Sequence, residues 1–432
     1  MNREAGRSAG SSPRSGAPRV VDGGLLLVLL AALLLLGLGF AAKSAAFRPG
    51  FDPNARPMLS YTDIVPLYHS EGLDRGLVPY VQEPNEYPVV TGLFMWAMAL
   101  PGGGLHGFFL ASSAALAILG LLTAWLLYRA VGKRALYFAA APALLLYGLL
   151  NWDLLVVFLA TAATVAFLRR RDGAAGVLLG LGAAAKVYPA LLVIPFVLQR
   201  LGEGRRDRAT RLALLAAGVW IVVNLPFALV SWQRWSFFFK VSSSRIAEWD
   251  TLWSVGCIAS TGRRGCLPVP LMNVASMLLM AAAAVWVWRA KTARDPSFPP
   301  WTFGLALVVI FLLTNKVCSP QYSLWLIPWF ALVLPDLRLF LAFELADTAV
   351  FATRLLWISG YLNRTGGLPV WPMEVAVVAK AAVLVWVLVD YVHTYSEPAP
   401  VAASTRPSQH HRDGPGARTR IDAQGRRTNT TP

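Results

Sequence analysis

Charge is scarce in this chain. Only 14% of its 432 residues are Asp, Glu, Lys or Arg, and 56% are hydrophobic, whereas a soluble domain carries about 25% charged residues. That shortage excludes an ordinary soluble enzyme. Cysteine is scarcer still: three residues cannot build a disulfide framework. Two of them, Cys257 and Cys266 in "GCIASTGRRGC", share one loop, where a bridge can form if the loop meets an oxidising compartment. An unpaired, inert pair is the other reading. Histidine is rare, and the adjacent His410 and His411 lie in a polar tail without partners, which reads as solvated rather than metal-binding. The sequence also lacks a convincing internal repeat, which weighs against a secondary transporter built from repeats.

What the chain has instead is long apolar runs. Twelve hydrophobic segments are expected, near 24–42, 105–128, 135–149, 151–168, 174–185, 188–199, 211–231, 269–288, 300–316, 321–335, 338–358 and 371–393. The fold class is therefore an all-α polytopic membrane protein, a bundle of about 12 membrane segments. The first run is too long for the apolar stretch of a signal peptide and is read as spanning. Several others fall short of the roughly 17–25 residues needed to cross the hydrocarbon core, so they must be half-helices or tilted partners. Breaks at "AAAKVYPALL" and "TNKVCSPQYSLW" point to an internal site, because unwound backbone at membrane depth must line a cavity or be buried in protein.

The net charge of +16 would suggest nucleic acid in a soluble protein, but its distribution gives another account. Of the 39 lysines and arginines, 25 fall in segments assigned to the cytoplasm, 10 in external segments and 4 within the membrane. This is the positive-inside bias. It excludes nucleic acid as a partner and predicts a multi-pass protein of the plasma membrane with both termini cytoplasmic. Residues 1–22 and 395–432 read as disordered tails, and 23–394 as the membrane domain. Two external loops are expected, at 43–104 and 232–268. The run at 86–104 holds too few apolar residues before Pro101 to span, and reads as an interfacial or re-entrant helix of the first loop.

A first loop of some sixty residues is unusual, and it concentrates acid groups around "SYTDIVPLYHSEG". Asp63 precedes an apolar stretch that should dock on the bundle. Partial loss of hydration there suits a general base, against the plainer reading of a solvated loop aspartate. Asn151 and Asp153 in "NWDLL", Lys186 in "AAAKVYP", and Lys316, Gln321 and Tyr322 in "NKVCSPQY" lie at helix apices on the same membrane face. Ionisable groups in membrane segments are costly and mark functional sites, although either lysine alone could snorkel to headgroups. Secondary candidates are His69, Glu86 and Arg245, the last beside Trp232, Trp235, Trp249 and Trp253, which read as interface anchors or sugar-stacking platforms. Arg354 and Glu344 read as contacts internal to the bundle. This layout suits sugar transfer from a lipid phosphate: a base removes the acceptor proton while fixed cations stabilise the departing phosphate.

The order of "YTDIVPLY", "EYPVVTGLFMW", "NWDLL", "AAAKVYPALLVIP" and "NKVCSPQYSLWLIP" resembles glycosyltransferase family 87, over most of residues 24–393. The resemblance implies a GT-C fold and an inverting, polyprenyl-phosphate-mannose-dependent mannosyltransferase of actinobacterial type. It also implies a first-loop aspartate, here Asp63, as base, and a phosphate-contacting region at "NKVCSPQY". Some members carry histidines in that hairpin where this sequence has Lys316 and Gln321. The expected partners are the polyprenyl-phosphate-sugar donor, a cell-envelope glycolipid or glycan acceptor and membrane lipids. No cofactor is expected. The first loop lacks an Asp-x-Asp pair and a lipid monophosphate needs no metal. A transporter or lipid flippase is the alternative reading. A ligase or polymerase using diphosphate-linked donors would be expected to carry arginine-rich external motifs, which are sparse here.

Overall fold

The structure, a computed structural model, describes residues 22–47, 58–363 and 368–395. The His410–His411 pair and most of both tails lie outside them. The described residues form helices and turns, with no strand. Five helices are long and apolar enough to cross a membrane: Gly23–Ser44, the composite Gly104–Ala139, Arg206–Val230, Val269–Arg294 and Trp371–His393. Leu337–Asn363 is as long, but it carries Glu344, Asp347 and Arg354 along its length.

The twelve expected segments are thus not twelve equivalent spans. Asp153–Leu168, Asp172–Ala185 and Tyr188–Gly202 are short apolar helices. A 14-residue helix is only about 21 Å long, less than the hydrocarbon thickness. The segment expected at 135–149 breaks because Pro142 starts a new helix, Pro142–Tyr147, having no N–H with which to continue the old one. The segment expected at 321–335 divides likewise into a 3₁₀ turn, Pro320–Trp325, and a short helix, Ile327–Leu332. In the first loop Val89–Ala99 is an 11-residue helix, too short to span, as its sequence suggests.

Close packing holds the short helices in place. Gly176 and Gly180 lie one turn apart on the helix that packs along Arg206–Val230. A Cβ at either would come within 2.6 Å of a carbonyl oxygen, Leu212 or Ala216 respectively. Small residues at this spacing let membrane helices approach backbone to backbone. The hairpin whose apex is Lys186 therefore has a fixed position. The first loop is stitched to the bundle at the neighbouring apex: Thr62 Oγ1 donates to the Leu149 carbonyl at 3.0 Å, and Asp63 N donates to that of Leu150 at 2.8 Å. Thr91 Oγ1 donates to Ala185 O at 2.7 Å, so loop and apices form one unit.

Candidate functional site

A cavity of about 770 Å³ opens where the first loop meets the helix apices. Its lining includes Asp63, Glu86, Tyr87, Asn151, Lys186, Arg245, Lys316, Gln321, Tyr322 and Arg354. Eight of the expected residues therefore converge on it: Asp63, Glu86, Asn151, Lys186, Arg245, Lys316, Gln321 and Tyr322. His69 and Asp153 are not among the lining residues.

Among the described residues, Asp63 is held by neutral donors alone. The Tyr61 hydroxyl donates to Oδ1 at 2.7 Å, and Asn151 Nδ2 donates to Oδ2 at 2.9 Å. A carboxylate offers about four acceptor sites, so positions remain open for a proton from a bound molecule. Asn151 holds its own orientation, because its Oδ1 accepts from Trp152 N at 2.6 Å.

The two lysines differ. Lys186 stands where the backbone turns extended between two helices, and donates to both oxygens of Asp153 at 3.0 Å. Asp153 is fully buried and also accepts from the Trp325 indole at 2.8 Å. It is the counterion of Lys186, not the cavity contact expected from sequence. Aromatic faces complete the setting. Lys186 Nζ lies 4.8 Å from the Tyr322 ring centroid, and Tyr322 stacks on Trp325 at 3.9 Å. Lys316, by contrast, donates only to backbone carbonyls, those of Ser243 (3.1 Å) and Arg245. No carboxylate partner is found for it among the described residues. An ammonium has three N–H groups, and two are used.

Residues 243–250 run as a strap across this cavity. Besides gripping Lys316, the strap pairs Arg245 with Glu86 of the first loop at 3.4 Å. It receives Arg354 of the long charged helix at Asp250, 2.6 Å apart. Glu248 N donates back to Lys316 O at 2.9 Å. Arg354, expected to be internal to the bundle, thus joins the cavity wall, whereas Glu344 is internal and accepts from Ala143 N at 2.8 Å. The loop that follows is closed by a disulfide between Cys257 and Cys266. None of the four tryptophans near the strap lines the polar cavity. Trp253 donates to Thr314 O, Trp249 packs on Trp357, Trp235 donates to Asn224 and Trp232 is exposed. Tyr322 and Trp325 supply the aromatic wall instead.

His69 is exposed and pairs with Asp74 at 2.9 Å, which draws the Asp74 carboxyl below its usual range. Glu86 is raised above the ordinary range, first by burial and then by Asp63, against the opposing pull of Arg245. Glu71, a carboxylate that motif reading did not single out, is buried near Glu86 and Glu83. Burial first, then those like charges, push it up to about 8 from 4.5. A raised carboxylate favours the folded state while it holds its proton. That contribution is full below about pH 4.5 and is lost as pH rises through about 8. Glu71→Gln should therefore make the decline in thermal stability across this window shallower and leave the variant the more stable protein at pH 9. Parallel slopes for the two proteins in a melting series would refute this.

A second cavity, of about 540 Å³, adjoins the first and shares Pro88, Val187, Phe238 and Phe239 with it. It runs along Arg206–Val230 from Asn224 to Ala213, walled by Gly180, Ala183, Ala216 and Ala217. Apart from Asn224 and the Tyr80, Trp220 and Trp235 rings, its lining is apolar.

The chain is similar to several known proteins. The sequence profile of glycosyltransferase family 87 matches residues 85–320, more than half of the chain. The catalytic subunit of GPI alpha-1,4-mannosyltransferase I from Danio rerio is 27% identical over a match covering 39% of this chain and 45% of that protein. The chain thus spans less than half the length of that relative. Among solved structures, ArnT from Cupriavidus metallidurans aligns over 86% of this chain and 77% of its own, at 15% identity and a TM-score of 0.44. The Archaeoglobus fulgidus oligosaccharyltransferase aligns over 87% and 57%, at 13% identity and a TM-score of 0.43.

Proposed function

Because the chain belongs to glycosyltransferase family 87, we propose that it transfers mannose from a polyprenyl-phosphate donor to a cell-envelope glycolipid or glycan on the outer face of the membrane. One observation carries this reading. Asp63 and Lys316, each with only neutral direct partners among the described residues, line one cavity. Base and cation are not spent on each other.

In the proposed reaction the acceptor hydroxyl oxygen attacks the anomeric carbon and its proton passes to Asp63. The bond from that carbon to phosphate oxygen breaks, and the electron pair leaves with the lipid phosphate. The configuration at the anomeric carbon inverts, so a β-linked donor gives an α-linked product. Lys316, seconded by Lys186, faces the growing phosphate charge from a preorganised position, and this lysine countercharge needs no metal. Tyr322 and Gln321 bound the sugar. The neighbouring apolar groove takes the first isoprene units, since a phosphate near Lys186 sets the chain beside Val187, Phe238 and Phe239. A transporter would be expected to hold its ionisable groups near the bilayer midplane, whereas Asp63, Glu86, Lys186, Arg245 and Lys316 line the cavity where the first loop meets the helix apices.

The test is transfer by the purified protein in liposomes given labelled polyprenyl-phosphate-mannose and envelope lipids. Product formation supports the reading, and flux of the donor without product would replace it with the flippase alternative. The groove has its own check. Ala217→Trp should raise KM for the long-chain donor about tenfold, a loss of roughly 1.4 kcal/mol of apolar contact. It should leave a donor with two isoprene units unaffected. Equal effects on both donors would remove the groove from the donor site.

A further inference from the structure

Tyr87 lines the catalytic cavity but has no part in the reaction as written. Its backbone is pinned from both sides. The amide N–H donates to Asn85 Oδ1 at 2.9 Å, and the carbonyl accepts from the Tyr80 hydroxyl at 2.8 Å. Tyr80 is itself locked against Gly92, where any Cβ would lie 2.1 Å from its hydroxyl oxygen. The Tyr87 ring stands edge-on to Trp152, with centroids 5.9 Å apart. The hydroxyl is therefore delivered to one point by packing rather than by chance.

The direction of its proton follows from Asn151. That amide turns Oδ1 toward Trp152 N–H, so the group facing Tyr87 is the Nδ2 donor, 2.7 Å from the phenolic oxygen. The oxygen accepts there, which leaves its own O–H to point elsewhere. No acceptor for that proton is found among the described residues. The same Nδ2 also binds Asp63, so Tyr87 stands one amide away from the base. Lys186 Nζ lies 5.8 Å from the Tyr87 ring centroid. An oriented, unused O–H donor thus sits between the base and a cation, in the space that the transferred sugar must occupy if the proposed reaction is right.

We propose that the Tyr87 hydroxyl donates a hydrogen bond to one hydroxyl of the transferred sugar and so determines which sugar the enzyme accepts. A fixed donor left unpaired by the wrong sugar carries a penalty that shape alone does not impose. Tyr87 is then a specificity-determining residue, distinct from Asp63 and from the lysines that face phosphate.

The experiment measures kcat/KM of wild type and Tyr87→Phe with the mannosyl donor and with monodeoxy donors lacking each sugar hydroxyl in turn. In the wild type one deoxy position should cost about 10–100-fold. Tyr87→Phe should lose a similar factor with the full sugar and show almost no further loss at that one position, while keeping the wild-type penalties at the others. Additive penalties at every position would overturn the proposal, as would native rates for Tyr87→Phe with the full sugar. If Tyr87 acted only by orienting Asn151, the variant would shift the pH profile of kcat and leave all the deoxy penalties in place, which also overturns it. Failure of the wild type to transfer the full sugar would sink the transferase reading first, and this inference with it.

Discussion

Asp63→Asn is expected to lower kcat for mannosyl transfer by about 10²–10⁴-fold, the range that a positioned general base contributes, with little change in the amount of folded protein. The asparagine has nearly the same size and can still accept from Tyr61, whose hydroxyl lies 2.7 Å from Asp63 Oδ1. Stitching of the loop is independent of the carboxylate, because it uses Thr62 Oγ1 and the Asp63 amide N–H. Asp63→Glu should lose comparable activity while keeping the charge, since one more methylene moves the carboxylate off the point that Tyr61 and Asn151 define. A misplacement of about 1 Å costs on the order of 10²-fold. The decisive measurement is single-turnover transfer in membranes with matched protein levels. Undiminished turnover in the asparagine variant would remove Asp63 from the chemistry.

Lys316→Gln should cost about 10²–10³-fold in kcat, the loss seen when one preorganised donor to a developing anion is removed. Glutamine is the informative replacement because Lys316 has two roles. Its Nζ grips the strap through the Ser243 and Arg245 carbonyls, and its charge has no carboxylate partner among the described residues. An amide can still donate to those carbonyls but carries no charge. A large fall in kcat with near-normal melting temperature would assign the effect to charge. Lys186→Gln gives the contrast, because it strands the buried Asp153 carboxylate and should destabilise the protein as well as slow it. Equal kcat in Lys316→Gln and wild type would transfer the phosphate role to another cation.

Much of this site was legible from local sequence. A lysine shortly before Tyr-Pro in an apolar run, and Asn-Lys shortly before Ser-Pro in another, mark places where proline begins a new helical turn, and both prove to be apices lining the cavity. The first-loop aspartate was recognisable because a carboxylate followed by Ile-Val-Pro-Leu-Tyr must sit where loop meets bundle. The pairing of those groups was not legible. Asp153 and Lys186 looked like two contributors to the site, yet the structure makes one the counterion of the other. Asn151 was visible as a polar residue at an apex and Tyr87 carried no signal, and their roles arise from contacts 64 and 88 positions apart along the chain. Arg354 reached the cavity wall only because Asp250 of the strap comes to it. Helix ends are written in neighbouring residues, whereas charge partners are set by how helices stack, which no single stretch records.

The strap carries a consequence for biogenesis. Asp250 is nearly buried, and its ion-pair partner, Arg354, is made only after about a hundred more residues, which takes roughly 5–20 s at ordinary rates of synthesis. Until that later helix inserts, the Asp250 carboxylate lacks the Arg354 countercharge, and burying it would be unfavourable. The nascent protein should therefore keep the roof of its cavity undocked while most of its membrane helices are already in place. The cavity is therefore expected to be among the last parts of the molecule to close, once Arg354 can pair with Asp250.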